Sequence, residues 1–550
     1  MSTLEDGSLR TGKTPLPYRQ LFIVSLLQGS EPLTSSIIFP FVNQAVRESG
    51  ITGGDETKTG YYAGAIESIF FIAECLTVVH WGRLSDRIGR KPVMLIGLVG
   101  LATSMITFGL SKSYWLLLIS RFIQGMSNGN MGMTKNIMAE ITDETNIADA
   151  FAWMPLIWSV GGTVGPIIGG TLSNPSSTYP SSIFASWPIF VNNPYLLPCM
   201  VAAGYSLTCL AIGWFWLDET HLDIVSREKL ARSITGDSRQ TSSTTSTVPP
   251  SESTPLLTPS PSSSSLASSS ASSPSSSTYS IRTLLHTPSI VFSLINLAFL
   301  AFADQSIQVI LPLSFSTPTS LYGLAFPPYT IGVTLGLFGL LNGLYQIFVL
   351  PLLTRRFGFK GVHRFAFGVG LTGVLLGYVA IGDGVRIRGE VDRVVWTLIV
   401  LLLTFMAQYS MAWGCIYPIL IATSPTPSTL ATITALGQMA TSTMRSVAPS
   451  FASSLFAFSM QMREYYRTRH CDPTSEGGTR CDGEWVGWIG WGAGNLVYFV
   501  LLGVVALGIW TSGKLPEQRR HSGQVGNKEV NDEPTRRHTS DGDLNYGNQK

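Results

Sequence analysis

Read as apolar and polar positions, the chain is a series of apolar runs of about twenty residues or more, divided by short polar turns. Each run is long enough to cross a bilayer as one helix. The pattern predicts twelve spans, near 19–46, 60–82, 91–110, 114–138, 149–172, 194–217, 288–315, 329–353, 361–382, 393–422, 429–460 and 485–510. Six spans, a polar linker and six more divide the chain into an N-terminal half at 19–217 and a C-terminal half at 288–510. Between them lies a Ser/Thr/Pro-rich linker at 218–287, and polar tails occupy 1–18 and 511–550. The linker and the tail from 511 hold too few apolar residues to build a core and are expected to be disordered. The expected fold class is an all-α membrane protein of twelve transmembrane helices in two six-helix halves, and duplication of this kind is one way to build a transporter.

The polar turns carry the next layer of information. Between spans 2 and 3 stands Trp81-Gly82-Arg83-Leu84-Ser85-Asp86-Arg87-Ile88-Gly89-Arg90-Lys91-Pro92, with one acid among four basic residues. We read it as a short turn between helices, with an ion-pair cluster around Asp86. Its bland alternative is a basic loop that only sets topology. The turn after span 8 holds Arg355, Arg356, Lys360 and Arg364, whereas the turns after spans 5 and 7 hold no Lys or Arg. That bias places both termini in the cytoplasm. The longer outer loops near 383–393 and 462–484 carry arginines and run against the rule with less weight. The two halves also repeat: Asp86-Arg87-Ile88-Gly89-Arg90-Lys91 aligns with Arg355-Arg356-Phe357-Gly358-Phe359-Lys360.

Composition agrees with this picture. Only 13% of the residues are charged and 45% are hydrophobic, with a mean hydropathy of +0.26. A net charge of +2 implies no nucleic-acid partner. Of six cysteines, Cys75, Cys199, Cys209 and Cys415 fall in apolar runs and are expected to pack as small hydrophobes. Cys471 and Cys481 lie in the loop before span 12, on the outer face, and are expected to form a disulfide, with two free thiols as the alternative. His80, His221, His286 and His363 are scattered without ligand spacing, so no metal site is expected. No Walker loop is present, which excludes ATP-driven pumping by this chain.

An ionisable group at the centre of a membrane helix costs about 2.5–3.5 kcal/mol on insertion scales and needs a partner, a wet cavity or a function. Glu31 in span 1 and Asp304 in span 7 occupy equivalent places in the two halves, each followed by a proline about two turns on, at Pro40 and Pro312. Glu67 and Glu74 are seven apart in span 2, on one helix face. Arg121, Asn128 and Lys135 form a stripe of the same spacing in span 4, and Arg445 lies in span 11. Glu31 and Asp304 are read as functional. Glu67, Glu74 and Lys135 have the structural alternative of paired ions that fix helix packing. Arg121 is a candidate counter-ion for Glu31.

Gly82-x-x-x-Asp86-Arg87-x-Gly89-Arg90-Lys91 resembles the loop between helices 2 and 3 of the major facilitator superfamily. That resemblance implies a cytoplasmic gate latch in which Asp86 pairs with basic residues. Arg121-x-x-Gln124-Gly125 resembles the second motif of the drug:proton antiporter branch. Gly161-x-x-x-Gly165-Pro166-x-x-Gly169-Gly170 resembles the antiporter motif of the same branch, with Ala152 where a further glycine is usual. Glu31-Pro32 with Phe39-Pro40, then Trp81-Gly82, then Asn128-Gly129-Asn130, resembles fungal and plant tetracycline-resistance-like and zinc-induced-facilitator-like exporters. Some of those relatives carry Cys- and His-rich loops that are missing here, which argues against direct metal handling.

Together these residues predict a secondary transporter that works by alternating access as a monomer. It would export a small organic molecule, a drug or secondary metabolite, and use a proton gradient as energy source with no cofactor. Glu31, Asp304, Glu67, Glu74 and Arg121 are the proton-coupling candidates. Trp158, Gln308, Asn342, Gln346, Tyr409 and Trp413 are candidates for substrate contact or for packing between helices. The alternatives are uptake or vacuolar loading, or a transporter-like nutrient receptor in which the linker signals. The plasma membrane is the expected location, with the vacuolar membrane as the alternative. Glu252-Ser253-Thr254-Pro255-Leu256-Leu257 in the linker looks like an acidic dileucine sorting signal.

Overall fold

The computed structural model describes residues 14–143, 146, 150, 151, 153–221, 284–423, 427–473, 479–481 and 484–515. The dileucine segment, most of the linker, and both tails beyond these limits lie outside the described residues. Among the described residues the chain forms twelve helical spans. Span 1 is broken into Tyr18–Gln28, Ser30–Ser36 and Val42–Glu48. Span 2 is Thr59–Ile88, span 3 is Arg90–Leu110, and span 4 is Tyr114–Ser127 followed by Asn130–Glu140. Span 5 is Trp153–Leu172 and span 6 is Leu196–Trp216. Span 7 is Pro288–Ser316, and spans 8 and 9 share the helical stretch Pro328–Arg388, divided at Gly358. Span 10 is Arg393–Ala422, span 11 is Pro427–His470, and span 12 is Glu484–Gly494 followed by Leu496–Gly513.

Seven of these helices are long and apolar enough to cross a membrane by length and composition alone, the joined pair counting as one. Most of the rest fall short for a reason the sequence carries. Span 1 breaks at Gly29 beside Glu31, span 4 breaks at Asn128–Gly129, and span 11 is rich in Ser and Thr and holds Arg445. These interrupted or polar spans converge on the site described below.

The expected turn at Trp81–Pro92 is corrected by the structure. Span 2 stays helical through Ile88, and the chain reverses on Gly89 alone, at φ 105° and ψ 165°. Span 8 does the same, with Gly358 at φ 74° and ψ 164°. The aligned glycines of the two halves thus adopt the same left-handed break, which glycine enters without a Cβ clash. Residues 84–88 have no Pro or Gly and continue the helix unopposed.

The C-terminal half packs around one large apolar cluster built from spans 7 to 12. The N-terminal half has two, one on each side of the break in span 1. Span 10 is capped by Asp392, which accepts from the N–H groups of Val394 and Val395 at 3.1 and 3.0 Å. The Val395 N–H first, and then Arg388, hold that carboxyl below the usual carboxylate range. A two-stranded ribbon, Cys471–Pro473 with Thr479–Cys481, precedes span 12, and its register sets Cys471 opposite Cys481. The disulfide expected there concerns side chains outside the described set.

Glycines set how the halves meet. Span 5 lies on span 8: a Cβ at Gly170 would stand 2.4 Å from the Pro328 carbonyl, and one at Gly332 would stand 2.3 Å from the Pro166 carbonyl. Span 2 lies on span 11, where a Cβ at Gly60 would stand 2.6 Å from the Ser453 carbonyl. Without side chains in the way, backbones approach as small residues allow in membranes. The same end is tied by Arg47 Nη1 donating to the Ser316 carbonyl at 3.1 Å, and nearer the middle Ser68 Oγ accepts from the Ser450 N–H at 2.9 Å. Toward the end that carries Asp86, Leu76 and Val79 of span 2 and Phe348 and Leu352 of span 8 are exposed, and space is open around Gly82. Lys135 Nζ donating to Gln438 Oε1 at 3.1 Å joins the halves on that side. The closest backbone contacts between the halves therefore lie at the end opposite the latch.

Candidate functional site

Glu31 begins the short helix Ser30–Ser36 in the interrupted span 1 and is buried. Gly29 is what lets this segment pack: a Cβ there would meet the Tyr205 hydroxyl at 2.9 Å. The Glu31 carboxylate accepts from Asn128 Nδ2 at 3.0 Å and from Gln28 Nε2 at 3.2 Å. Both donors are neutral amides. Asn128 reaches it because span 4 stops there: Asn128 closes Tyr114–Ser127 at φ −81° and ψ 51°, outside helical geometry. Glu74 of span 2 lies beside the same Asn128 amide and within electrostatic reach of Glu31. The cations acting on this pair are Lys135 of its own half and Arg445 of the other.

Arg445 is the residue common to both halves. Its charge also acts on Asp304, which accepts from Gln308 Nε2 at 2.9 Å and stands against the Trp413 indole. The Arg445 guanidinium lies over the Trp413 ring, 5.4 Å from its centroid. It makes no hydrogen bond or ion pair among the described residues, and its Nε is buried without a partner. Asn128 Oδ1, Gln28 Oε1 and Asn342 Oδ1 are likewise buried and unpartnered. Buried polar atoms are ordinarily satisfied, and two of these unmet oxygens belong to Asn128 and Gln28, the amides that hold Glu31.

Glu67 has a different role. It forms an ion pair with Arg121, Oε2 to Nη2 at 2.7 Å, and both side chains are buried. Arg121 also donates to Gln124 Oε1 at 2.7 Å and lies 4.8 Å from the Phe70 ring centroid. The expectation that Arg121 serves Glu31 is therefore corrected: span 4 aims Arg121 at span 2, and Asn128, two turns on, takes Glu31. Gly125 completes this packing, since a Cβ there would stand 2.1 Å from the Phe70 carbonyl. Removing one partner of a buried pair strands the other charge and costs about 3–5 kcal/mol. Glu67→Ala is expected to lower the melting temperature and folded yield of purified protein. Glu67→Leu combined with Arg121→Met should recover most of both, because a matched apolar pair leaves no orphan. Equal melting of Glu67→Ala and the parent protein would show the pair to be dispensable.

The glycine-rich stretch of span 5 divides between two neighbours. Gly161, Gly165 and Gly169 face span 1, where Cβ atoms would meet Pro32, Ser36 and Ile37 at 2.6, 2.9 and 1.9 Å. Gly170 faces span 8, and Pro166 turns its carbonyl to Gly332. Span 5 thus carries the Glu31 segment on one side and the other half of the molecule on the other.

At the latch, Asp86 is exposed and pairs with Arg90 Nη1 at 2.8 Å, and Arg90 Nε reaches Glu140 at 3.1 Å. Glu219, just after span 6, accepts from the Arg90 and Lys91 N–H groups at 2.9 and 3.1 Å and fills the space beside Gly89. Gly82 and Arg87 complete the motif without a partner across the halves among the described residues. Exposed pairs contribute about 0.2–1 kcal/mol, so the Asp86 charge matters little to folding. Asp86→Asn is expected to slow transport roughly three- to tenfold, about 0.7–1.4 kcal/mol in the balance of conformations, with unchanged membrane abundance. Flux equal to that of the parent protein would reduce the motif to a topology signal.

Of the substrate-contact candidates, Trp413 and Gln308 stand beside Arg445 and Asp304, Asn342 has a buried, unpartnered Oδ1 on span 8, and Trp158 is half-buried on span 5. Tyr409 takes the packing alternative: it is buried in the C-terminal core and donates to the Leu300 carbonyl at 3.2 Å. Gln346 donates to the Ser410 carbonyl at 2.9 Å and packs between spans 8 and 10. Gln28 was not picked out in the sequence and Arg445 was not given its central place. The run Gln28-Gly29-Ser30-Glu31-Pro32, polar in the middle of an apolar span, is the signal that would have found the first.

Comparison with known proteins agrees with this architecture. Residues 24–449 match the family model of the Major Facilitator Superfamily. The chain is 30% identical over 476 residues to the major facilitator-type transporter psiT2 of Psilocybe cyanescens, covering 83% of this chain and 87% of that protein. It is 30% identical over 382 residues to the multidrug transporter mfsB of Aspergillus fumigatus, covering 62% and 63%. Its fold superposes on a D-xylose–proton symporter with a TM-score of 0.61 at 13% identity, covering 92% of this chain and 99% of that one. With two six-helix halves, a glycine-packed seam between them and charged groups gathered at its centre, this chain belongs to the Major Facilitator Superfamily and is a membrane transporter, not an enzyme.

Proposed function

We propose that the protein is a proton-coupled exporter of small organic molecules, with Glu31 as the principal proton carrier and Asp304 as a lesser, substrate-facing partner. The observation that carries this reading is the setting of Glu31. It is a buried carboxylate at a helix break, held by two neutral amides, with its cations at a distance and a second carboxylate, Glu74, beside the same amide. A carboxylate without a contact ion pair can take up a proton and release it as the cavity opens to either side. The resemblance of span 5 to the antiporter motif and the multidrug name of mfsB favour export. The basic latch end would face the cytoplasm, and the end where the halves meet most closely would then face outward.

Purified protein in vesicles with an imposed pH gradient tests this. Adding a transported compound should dissipate the gradient, and a protonophore should stop net accumulation of that compound. Accumulation that ignores the protonophore would remove proton coupling and leave the transporter assignment standing.

A further inference from the structure

The connection between spans 5 and 6 has no use in the transport reading, yet its composition and shape are specific. From Ala150 to Leu217 there is no Asp, Glu, Lys, Arg or His. Within that stretch, the connection folds into three short helical pieces, Pro175–Thr178, Ile183–Ser186 and Pro188–Asn192. Its ends are tied together: the Asn174 N–H donates to the Pro194 carbonyl at 2.8 Å, with Asn174 in the left-handed region at φ 49°. The Ser177 and Thr178 N–H groups then return to the Asn174 carbonyl at 3.1 Å. The loop is therefore a closed, hydrogen-bonded unit.

Its apolar side chains point the wrong way for a loop in water. Phe190 is buried, and Phe184 and Trp187 pack against it with ring centroids 5.7 and 6.0 Å away. Around this small core Tyr179, Ile183, Phe184, Trp187, Ile189 and Val191 are exposed, Ile183 at 70% and Trp187 at 51%. Contiguous exposed apolar surface marks a docking face. The two spans it joins also carry exposed apolar side chains, Val160 and Val164 on span 5 and Met200 and Val201 on span 6. Met200 and Val201 stand in the second turn of span 6, directly beside the loop. Tryptophan, tyrosine and phenylalanine without charge are the residues that settle at the boundary between headgroups and acyl chains.

We propose that the span 5–span 6 loop lies in the bilayer interface at the end of the bundle opposite the latch, with its aromatic and aliphatic face immersed among phospholipid headgroups and upper acyl chains. The loop leaves span 5 directly after Gly169 and Gly170, where span 5 bears on spans 1 and 8. It therefore anchors to lipid the helix that links the Glu31 segment to the other half.

The test places an environment-sensitive nitrobenzoxadiazole probe on Ile183→Cys in the full-length protein, reconstituted in phosphatidylcholine vesicles. The protein with Ile183 retained serves as the labelling blank. Val191→Cys is the second site, should labelling at the first disturb folding. The expected result is blue-shifted emission, quenching by a phospholipid spin-labelled near the headgroup, and protection from aqueous iodide. Quenching by iodide as strong as at an exposed latch position such as Arg83→Cys would overturn the proposal. So would protection from both quenchers, which would mean that protein, a second copy or another part of this chain, covers the face.

Discussion

Gly170→Leu is expected to lose most transport while the protein still inserts and folds. Gly170 is the point where span 5 meets the other half: a Cβ there would stand 2.4 Å from the Pro328 carbonyl and 2.8 Å from Gly332 Cα, both backbone atoms. Neither can move without shifting span 8. Overpacking such a contact costs about 1–3 kcal/mol, a factor of about 5 to 150 in a two-state balance. That cost falls on the conformation closed at this end and spares the one in which the ends part. The variant should therefore favour the state open opposite the latch. Accessibility of a single cysteine at Tyr61, where span 2 meets span 11 near that end, should rise in parallel. Gly169→Leu provides the contrast. Its Cβ would stand 1.9 Å from the Ile37 carbonyl within the same half, so the expected outcome is lost folded protein rather than a shifted conformation. Normal flux in Gly170→Leu would mean that the span 5–span 8 seam does not open during transport.

Glu31→Gln is expected to abolish pH-driven net transport and to spare exchange of labelled for unlabelled substrate across the membrane. The amide keeps the size of the carboxyl and keeps hydrogen-bonding contact with Asn128 and Gln28 available, so the helix break in span 1 should persist. What it removes is the titrating group, and with it the need to load and release a proton in each cycle. Asp304→Asn should weaken both activities to a smaller degree, since that carboxyl sits in the unbroken helix Pro288–Ser316 rather than at a helix break beside a second acid. Full pH-driven transport by Glu31→Gln would pass the role to Glu74, which lies within electrostatic reach of Glu31. Glu67 is not next in line, because its pairing with Arg121 is a contact ion pair.

The two-half architecture was legible in the sequence because it depends on run length and on turns, which are local properties. The aligned Gly89 and Gly358 carried it furthest, matching in backbone angles as in sequence position. The acids of the site were legible for the same reason, as an ionisable residue in an apolar run stands out alone. Their partners were not. Arg121, Asn128 and Lys135 are equally spaced on span 4, and spacing along one helix does not say which neighbour each meets. The break at Asn128 turns the second part of span 4, so Arg121 reaches Glu67 while Asn128 reaches Glu31. Tyr409 stood open between substrate contact and packing for a related reason. An aromatic residue in a span is compatible with cavity or core, and only the neighbouring Gly370, against which Tyr409 packs, decides for the core.

The central claim is that protonation at Glu31 shifts the molecule between a conformation open at the latch end and one open at the other. Spin labels on Arg83→Cys of span 2 and Arg356→Cys of span 8 read the distance between the halves at the latch end, in reconstituted protein at a series of pH values. The account predicts two distance populations whose ratio changes with pH in the otherwise unaltered protein and becomes independent of pH in Glu31→Gln. A single distance at every pH, or an undiminished pH response in Glu31→Gln, would contradict it.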